Sequence, residues 1–363
     1  MISRRGVLAG AAGLLAAASG AKGAPAPSSL QEAAAQAGLL YGASIDGQGL
    51  ADPAYADLYW RETHLLATDV ALKFDWLRPS QDRFEFQFAD AIFAAAEANG
   101  KLVRGHTLIW NDNAPDWLKR LPGREVERVF DEHIDRVVER YAGRLHSWDV
   151  VNEPFWPMAG LPGGWRDGPW FAAMGPAYVE RAFRRVAAID KTARLTLNEA
   201  QCDNDHEWGR SIRPLLSGLV ERLLDAGAPL NAIGLQSHLQ PQWPADYPAF
   251  ADYIGAFGAK GLDIYFSEFD VNDAALPDPI AERDRAVAAI AAAFLQATLA
   301  VPAVKLLVNW QLSDRYSWYR SVQPKRFWSN RTPRPLPFDE DLRAKPLREA
   351  MLASFAARRA AAR

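Results

Sequence analysis

The chain has 363 residues, 49% apolar and 23% charged, enough for one large barrel or two ordinary domains and typical of a soluble globular protein. Lys and Arg number 41 against 44 Asp and Glu, a net charge of −3, which excludes a surface built to coat nucleic acid or an anionic membrane. The single Cys202 excludes an internal disulfide, and the six histidines lack metal-site spacing, so no metal or other cofactor is expected.

In chain order, the first feature is an export signal. Ser3-Arg4-Arg5-Gly6-Val7-Leu8 precedes an Ala/Gly/Leu run to about Ala18, and Ala24-Pro25-Ala26 resembles a cleavage site. The run is too short and too weakly apolar for a stable membrane span, so residues 1–26 read as a twin-arginine signal, with an ordinary Sec signal or an uncleaved anchor as alternatives. That route carries folded proteins, which suits a chain without disulfides bound for the periplasm or the medium. Cleavage near Ala26 removes Arg4, Arg5 and Lys22 and leaves 38 basic against 44 acidic side chains, or −6.

From Leu39 onward short apolar runs alternate with longer amphipathic ones, the pattern of a parallel sheet wrapped by helices. The strands are expected at Leu40–Ser44, Asp69–Lys73, Leu102–Thr107, Ser147–Val151, Arg194–Asn198, Ala232–Gln236, Asp263–Ser267 and Lys305–Trp310. Helices are expected at Pro53–His64, Ala89–Asn99, Arg124–Ala142, Pro176–Asp190, Arg213–Ala226, Tyr247–Ala259, Ile280–Thr298 and Lys345–Ala357. Eight strands each followed by a helix make an α/β fold of the (β/α)8 TIM-barrel kind, and no linker or composition break after residue 30 divides it, so residues 28–363 are expected to form one domain and a monomer.

In such a barrel the reactive groups sit at the carboxyl ends of the strands. The fourth strand, Ser147-Trp148-Asp149-Val150-Val151-Asn152, ends on Glu153-Pro154, where proline stops the ladder. The seventh, from Asp263, ends on Ser267-Glu268. Glu-Pro alone is an ordinary solvated turn, but two carboxylates closing two strands of one barrel make a pair, whatever the 115 residues between them. Hydrolysis of a glycosidic bond needs such a pair, one carboxyl to protonate the leaving oxygen and one to attack the anomeric carbon or activate water. Thirteen Trp, ten Tyr and seventeen Phe fit that reading, because sugar rings stack on flat aromatic faces, although most of these residues belong to the core. Strand ends also nominate Lys73, His106, Trp110, Asn198, Gln236, His238 and Trp310, while His133 and His146 read as ordinary core or surface residues.

Five segments, in order, resemble glycoside hydrolase family 10, the endo-β-1,4-xylanases: Arg104-Gly105-His106-Thr107-Leu108-Ile109-Trp110, Trp148 to Pro154, Gly234-Leu235-Gln236-Ser237-His238-Leu239, Ser267-Glu268-Phe269-Asp270-Val271, and Trp310 to Trp318. Pro337-Phe338-Asp339 through Lys345-Pro346 is similar to the family's closing segment. The resemblance implies a retaining double displacement with Glu153 as acid/base and Glu268 as nucleophile, which requires carboxyl groups about 5 to 5.5 Å apart. It implies that His238 and Asp270 support the nucleophile, that Gln236 partners the acid/base and that Asn152 bonds the sugar 2-hydroxyl. Lys73 and His106 are implied to hold hydroxyls of the same ring, walled by Trp110, Trp310 and Trp318. Trp60, Trp76, Trp117, Trp208 and Trp328 are left to the core. The implied substrate is xylan or xylo-oligosaccharide.

The sequence departs from that pattern around the centre. Val70 stands where the family usually has Asn, Asn111 where His is typical, Asn113 for a usual Gln, Glu199-Ala200 for Asp-Tyr, and Gln311 for a common Gly. These changes point to a decorated or short xylo-oligosaccharide, or another β-linked glycan, rather than plain xylan. Two alternatives stand beside this reading: another β-glycan hydrolase such as a β-glucanase or mannanase, which the Gly-His-Thr-Leu segment disfavours, and a glycan-binding barrel without turnover, which intact carboxylates and His238 disfavour.

Overall fold

A computed structural model describes residues 27–320 and 331–361. The expected export signal and Trp328 lie outside the described residues. Nine strands run through it: β1 (Leu40–Ser44), β2 (Leu65–Ala67), β3 (Leu102–Gly105), β4 (Ser147–Asn152), β5 (Arg194–Glu199), β6 (Ala232–Leu235), β7 (His238–Leu239), β8 (Asp263–Val271) and β9 (Val304–Asn309). Eight of them pair in parallel around a ring, β6 pairing with β8 and β9 with β1, so the sheet has no open edge. The two-residue β7 is a side extension on the outer end of β8, with His238 opposite Asp270.

The expected (β/α)8 barrel is therefore the fold, with one strand misplaced. The second strand is Leu65–Ala67, not Asp69–Lys73, which instead forms tight turns through Ala71 N–H to the Thr68 carbonyl and Lys73 N–H to the Val70 carbonyl. Leu65, Leu66 and Ala67 are the fully apolar triplet, and the helix before them stops at Glu62, earlier than expected. A second difference lies in the helix Glu207–Asp225, expected from Arg213. Pro214 lies inside it, where the missing N–H costs one main-chain bond, rather than at its start.

The period-two alternation of the strands sorts side chains to two faces. Leu65, Ala67, Ala232, Tyr265, Leu306 and Val308 plug the inside of the barrel. Outward-facing residues join a larger core with the helices, exemplified by Val126, Val129, Phe130, His133, Ile134, Val137 and Tyr141, which repeat at helical spacing along Gly123–Tyr141. The middle of the barrel is polar. Arg104 of β3 donates to Ser147 Oγ at 3.2 Å and Thr196 Oγ1 at 3.4 Å and pairs with Asp149 of β4. Gly234 is required beside them, because a Cβ there would sit 2.2 Å from Asn198 Oδ1.

At the carboxyl ends the backbone turns sharply. Six non-glycine residues among those described have positive φ, and five of them, Asp69, Glu153, Gln201, Ser237 and Gln311, follow within two residues of a barrel strand. Each such position costs roughly 1–3 kcal/mol and is held by its surroundings. Among the described residues no helix is long and apolar enough to cross a membrane.

Candidate active site

Glu268 lies on β8 itself, 5% exposed, so its orientation is fixed by the sheet. Its Oε1 accepts from Asn198 Nδ2 at 2.9 Å, and its Oε2 lies 3.3 Å from His238 Nε2. The other ring nitrogen, His238 Nδ1, is 2.9 Å from Asp270 Oδ2. Asp270 is buried and also accepts from Trp318 Nε1 at 2.8 Å and Tyr319 Oη at 2.7 Å. Burial opposes a charge on His238, but the carboxylates of Asp270 and Glu268 outweigh it and push the imidazole up to about 10. Burial likewise opposes a charge on Glu268, but the hydrogen bond from His238 and the positive groups nearby, His106 and Lys73 among them, bring the carboxyl down to about 2. Glu268 is thus an anion at any ordinary pH.

Glu153 stands one residue beyond β4 at φ 46°. Its Oε1 accepts from Gln236 Nε2 at 2.6 Å and its Oε2 from Arg166 Nη2 at 2.6 Å. Gln236 also links the two residues, since its main-chain carbonyl accepts from the backbone N–H of Glu268 at 3.0 Å. Asn198 makes a second bridge: its carbonyl accepts from Glu153 N–H at 2.8 Å while its side chain bonds both Glu268 and Asn152 Oδ1. Behind Glu153 lies Glu199, fully buried, which burial and then the charge of Glu153 push up to about 8, so that it is a neutral acid at pH 7.

The remaining nominated side chains gather beside this pair. Lys73 Nζ lies 5.3 Å from the Trp110 ring centre and 5.9 Å from that of Trp310, and His106 meets Trp310 edge-on at 5.0 Å. His106 Nδ1 is 3.0 Å from Asp149 Oδ2; a carboxylate can only accept, so Nδ1 carries a hydrogen and the ring is anchored by that bond. Trp318 packs on His238 at 5.0 Å. The structure therefore brings together every nominated side chain: Glu153, Glu268, Lys73, His106, Trp110, Asn152, Asn198, Gln236, His238, Asp270, Trp310 and Trp318.

Sequence reasoning gave no role to Asp149 and Arg104, although a charged residue in an apolar strand announces a buried partner. It missed Arg166 and Asp112 altogether, because both stand in loops without a motif. Trp76, left to the core, is 53% exposed. Trp208, in the first turn of the helix Glu207–Asp225, is half-buried and packs with Trp156 and Trp243, on the segments after β4 and β7, at 5.4 and 5.3 Å. Gln311, in place of the family's common Gly, stands at φ 74° and bonds the buried Asp69 through its amide. Among the described residues no group of three or more His, Cys, Asp or Glu side chains is arranged to hold a metal ion.

The chain matches the family model described as glycosyl hydrolase family 10 over residues 29–354. It is 30% identical over 338 residues to a thermostable celloxylanase of Thermoclostridium stercorarium, covering 84% of this chain and 82% of that protein. It is 28% identical over 293 residues to endo-1,4-beta-xylanase A of Phanerodontia chrysosporium, covering 79% of this chain and 68% of that one. The solved structure of xylanase 10B from Thermotoga petrophila in complex with xylobiose superposes with a TM-score of 0.81 at 27% identity, over 91% of this chain and 98% of that one.

Proposed function

The chain belongs to glycosyl hydrolase family 10, and from that premise we propose that it is a retaining endo-β-1,4-xylanase acting on xylan or xylo-oligosaccharides. The observation that carries the mechanism is the contrast between its two carboxyls. Glu268 on β8 is held ionised by a charged His238, while Glu153, just beyond β4 and three strand positions round the ring, accepts from Gln236 at 2.6 Å with a neutral Glu199 behind it.

In the first step a Glu268 oxygen attacks the anomeric carbon and the bond to the leaving sugar breaks. Glu153 gives its proton to the departing oxygen. In the second step Glu153 takes a proton from water, the resulting hydroxide attacks the same carbon, and the ester to Glu268 breaks, which restores both carboxyls and the original anomer. Asn152, fixed by Asn198, bonds the 2-hydroxyl of the reacting ring; Lys73 and His106 hold its other hydroxyls between Trp110 and Trp310.

The altered neighbours, Val70, Asn111, Asn113 and Ala200, support a preference for decorated or short xylo-oligosaccharides over plain xylan. Hydrolysis of a panel of β-linked polysaccharides and aryl glycosides, with product lengths measured, tests both parts. Internal cleavage of xylan-type substrates is expected. Activity confined to glucans or mannans contradicts the xylanase reading, and equal efficiency on unsubstituted xylan contradicts the preference. Residues 1–26 would direct twin-arginine export to the periplasm or medium; replacing Arg4 and Arg5 with Lys is expected to keep the protein in the cytoplasm, and unchanged export would contradict that route.

A further inference from the structure

Among the described residues Arg166 is the one cation hydrogen-bonded to Glu153, and it grips that residue at two points. Nη2 donates to Glu153 Oε2 at 2.6 Å while Nε donates to the main-chain carbonyl of the same residue at 2.8 Å. The third edge, Nη1, donates to Asp112 Oδ2 at 2.6 Å on the loop after β3, and the Trp156 ring covers the guanidinium face at 5.1 Å. The loop that carries Arg166 is itself fastened: Trp170 N–H donates to Asn111 Oδ1 at 3.2 Å, and Gly168 packs so closely on Asn111 that a Cβ would lie 2.5 Å from it. Asn111 is one of the positions where the sequence departs from the family pattern.

We infer that Arg166 is the positioning residue for the Glu153 carboxyl, locking backbone and side chain of a residue at positive φ so that its acid oxygen points at the leaving sugar oxygen, with Asp112 holding the guanidinium in place. The inference rests on the role of Glu153 as general acid. The bond from Glu153 N–H to the Asn198 carbonyl holds the backbone but not the side chain of this residue in the left-handed region, and a general acid misplaced by about 1 Å loses on the order of 100-fold. Gln236 holds one oxygen only. A planar guanidinium bonds the carbonyl, the other oxygen and Asp112 in one fixed plane, which the single nitrogen of lysine cannot do.

The test compares two substrates in Arg166→Met, Arg166→Lys and Asp112→Asn: xylohexaose, whose sugar leaving group needs a proton, and 2,4-dinitrophenyl β-xylobioside, whose leaving group does not. For Arg166→Met, kcat/KM is expected to fall by about 100-fold or more on xylohexaose and by less than about 10-fold on the aryl glycoside. Arg166→Lys is expected to recover less than about a tenth of the loss. Asp112→Asn, at a side chain 48% exposed, is expected to show the same selectivity at roughly 3–10-fold on xylohexaose. If Arg166→Met lacks a native near-ultraviolet spectrum, Asp112→Asn decides alone. Equal losses on both substrates, or none, overturn the inference. A wild type that turns over neither substrate instead overturns the function proposed above.

Discussion

Burial alone drives a carboxyl toward its neutral form, and Glu268 escapes because His238 and Asp270 form a relay of alternating charge behind it. Glu268→Gln keeps the shape and removes the attacking anion, so hydrolysis should fall by about four orders of magnitude or more while xylohexaose still binds, measured by turnover and calorimetry. Persistent turnover would remove Glu268 from the chemistry. Asp270→Asn is expected to lower the titration midpoint of His238 from about 10, since Asp270 is the largest of the influences raising it; the imidazole resonances in an NMR titration report this directly. The sign for stability follows: a histidine raised from 6.5 to about 10 stabilises the fold fully below pH 6.5 and loses that contribution as pH rises through 10. Glu268, lowered to about 2 from 4.5, contributes above pH 4.5 and loses its share as pH falls toward 2.

At the level of strands, what matters is how each one ends. Glu199 terminates β5 with its carboxyl accepting from Ala200 N–H at 2.8 Å and Phe155 N–H at 3.3 Å, buried and raised to about 8. A carboxyl raised above its unfolded value stabilises fully below pH 4.5 and loses that contribution through pH 8, with a slope of at most about 1.4 kcal/mol per pH unit. Melting temperatures from pH 5 to 9 should therefore fall for the wild type and stay flatter for Glu199→Gln; parallel curves would refute the buried titration. Most strand ends were legible in the sequence because β-branched runs stop at chain-turning residues, as at Val151-Asn152-Glu153-Pro154. The second strand was not, because Leu65–Ala67 is only three residues long and no Gly or Pro separates it from the turns at Asp69–Lys73. Lys73 still reaches the mouth, since those turns begin where the strand ends. The Arg166–Asp112 pair had no periodicity to betray it; only folding brings residues 54 apart into contact.

Across the whole molecule, the barrel is closed by β9 on β1 and β6 on β8, and the returning C-terminal segment braces the loop after β9. Lys345, 2% exposed, donates to Asp314 Oδ2 at 2.8 Å and to the Arg334 carbonyl at 2.7 Å, just beyond the site residue Trp310. Asp314 is buried and, against that pairing, raised to about 6. Lys345→Met leaves its carboxyl buried without the ammonium, at a cost of roughly 3–5 kcal/mol, and the melting temperature should drop by roughly 5–10 °C in calorimetry; an unchanged value would mean the pair is dispensable. Arg348 and Glu62, 3.2 Å apart, tie the last helix, Pro346–Ala361, to the helix Pro53–Glu62, and Glu62 Oε2 also accepts from Leu30 N–H at 2.9 Å. The frame so closed has one purpose in this account, to hold Glu268 within bonding reach of a sugar that Glu153 can protonate. The most direct measurement is to treat the protein with 2,4-dinitrophenyl 2-deoxy-2-fluoro-β-xylobioside and map the product by mass spectrometry. One fluoroxylobiosyl unit on the peptide bearing Glu268, accumulating in step with loss of activity, is the expected result; a label on another residue, or protein that stays unlabelled while hydrolysing xylan, would contradict the mechanism.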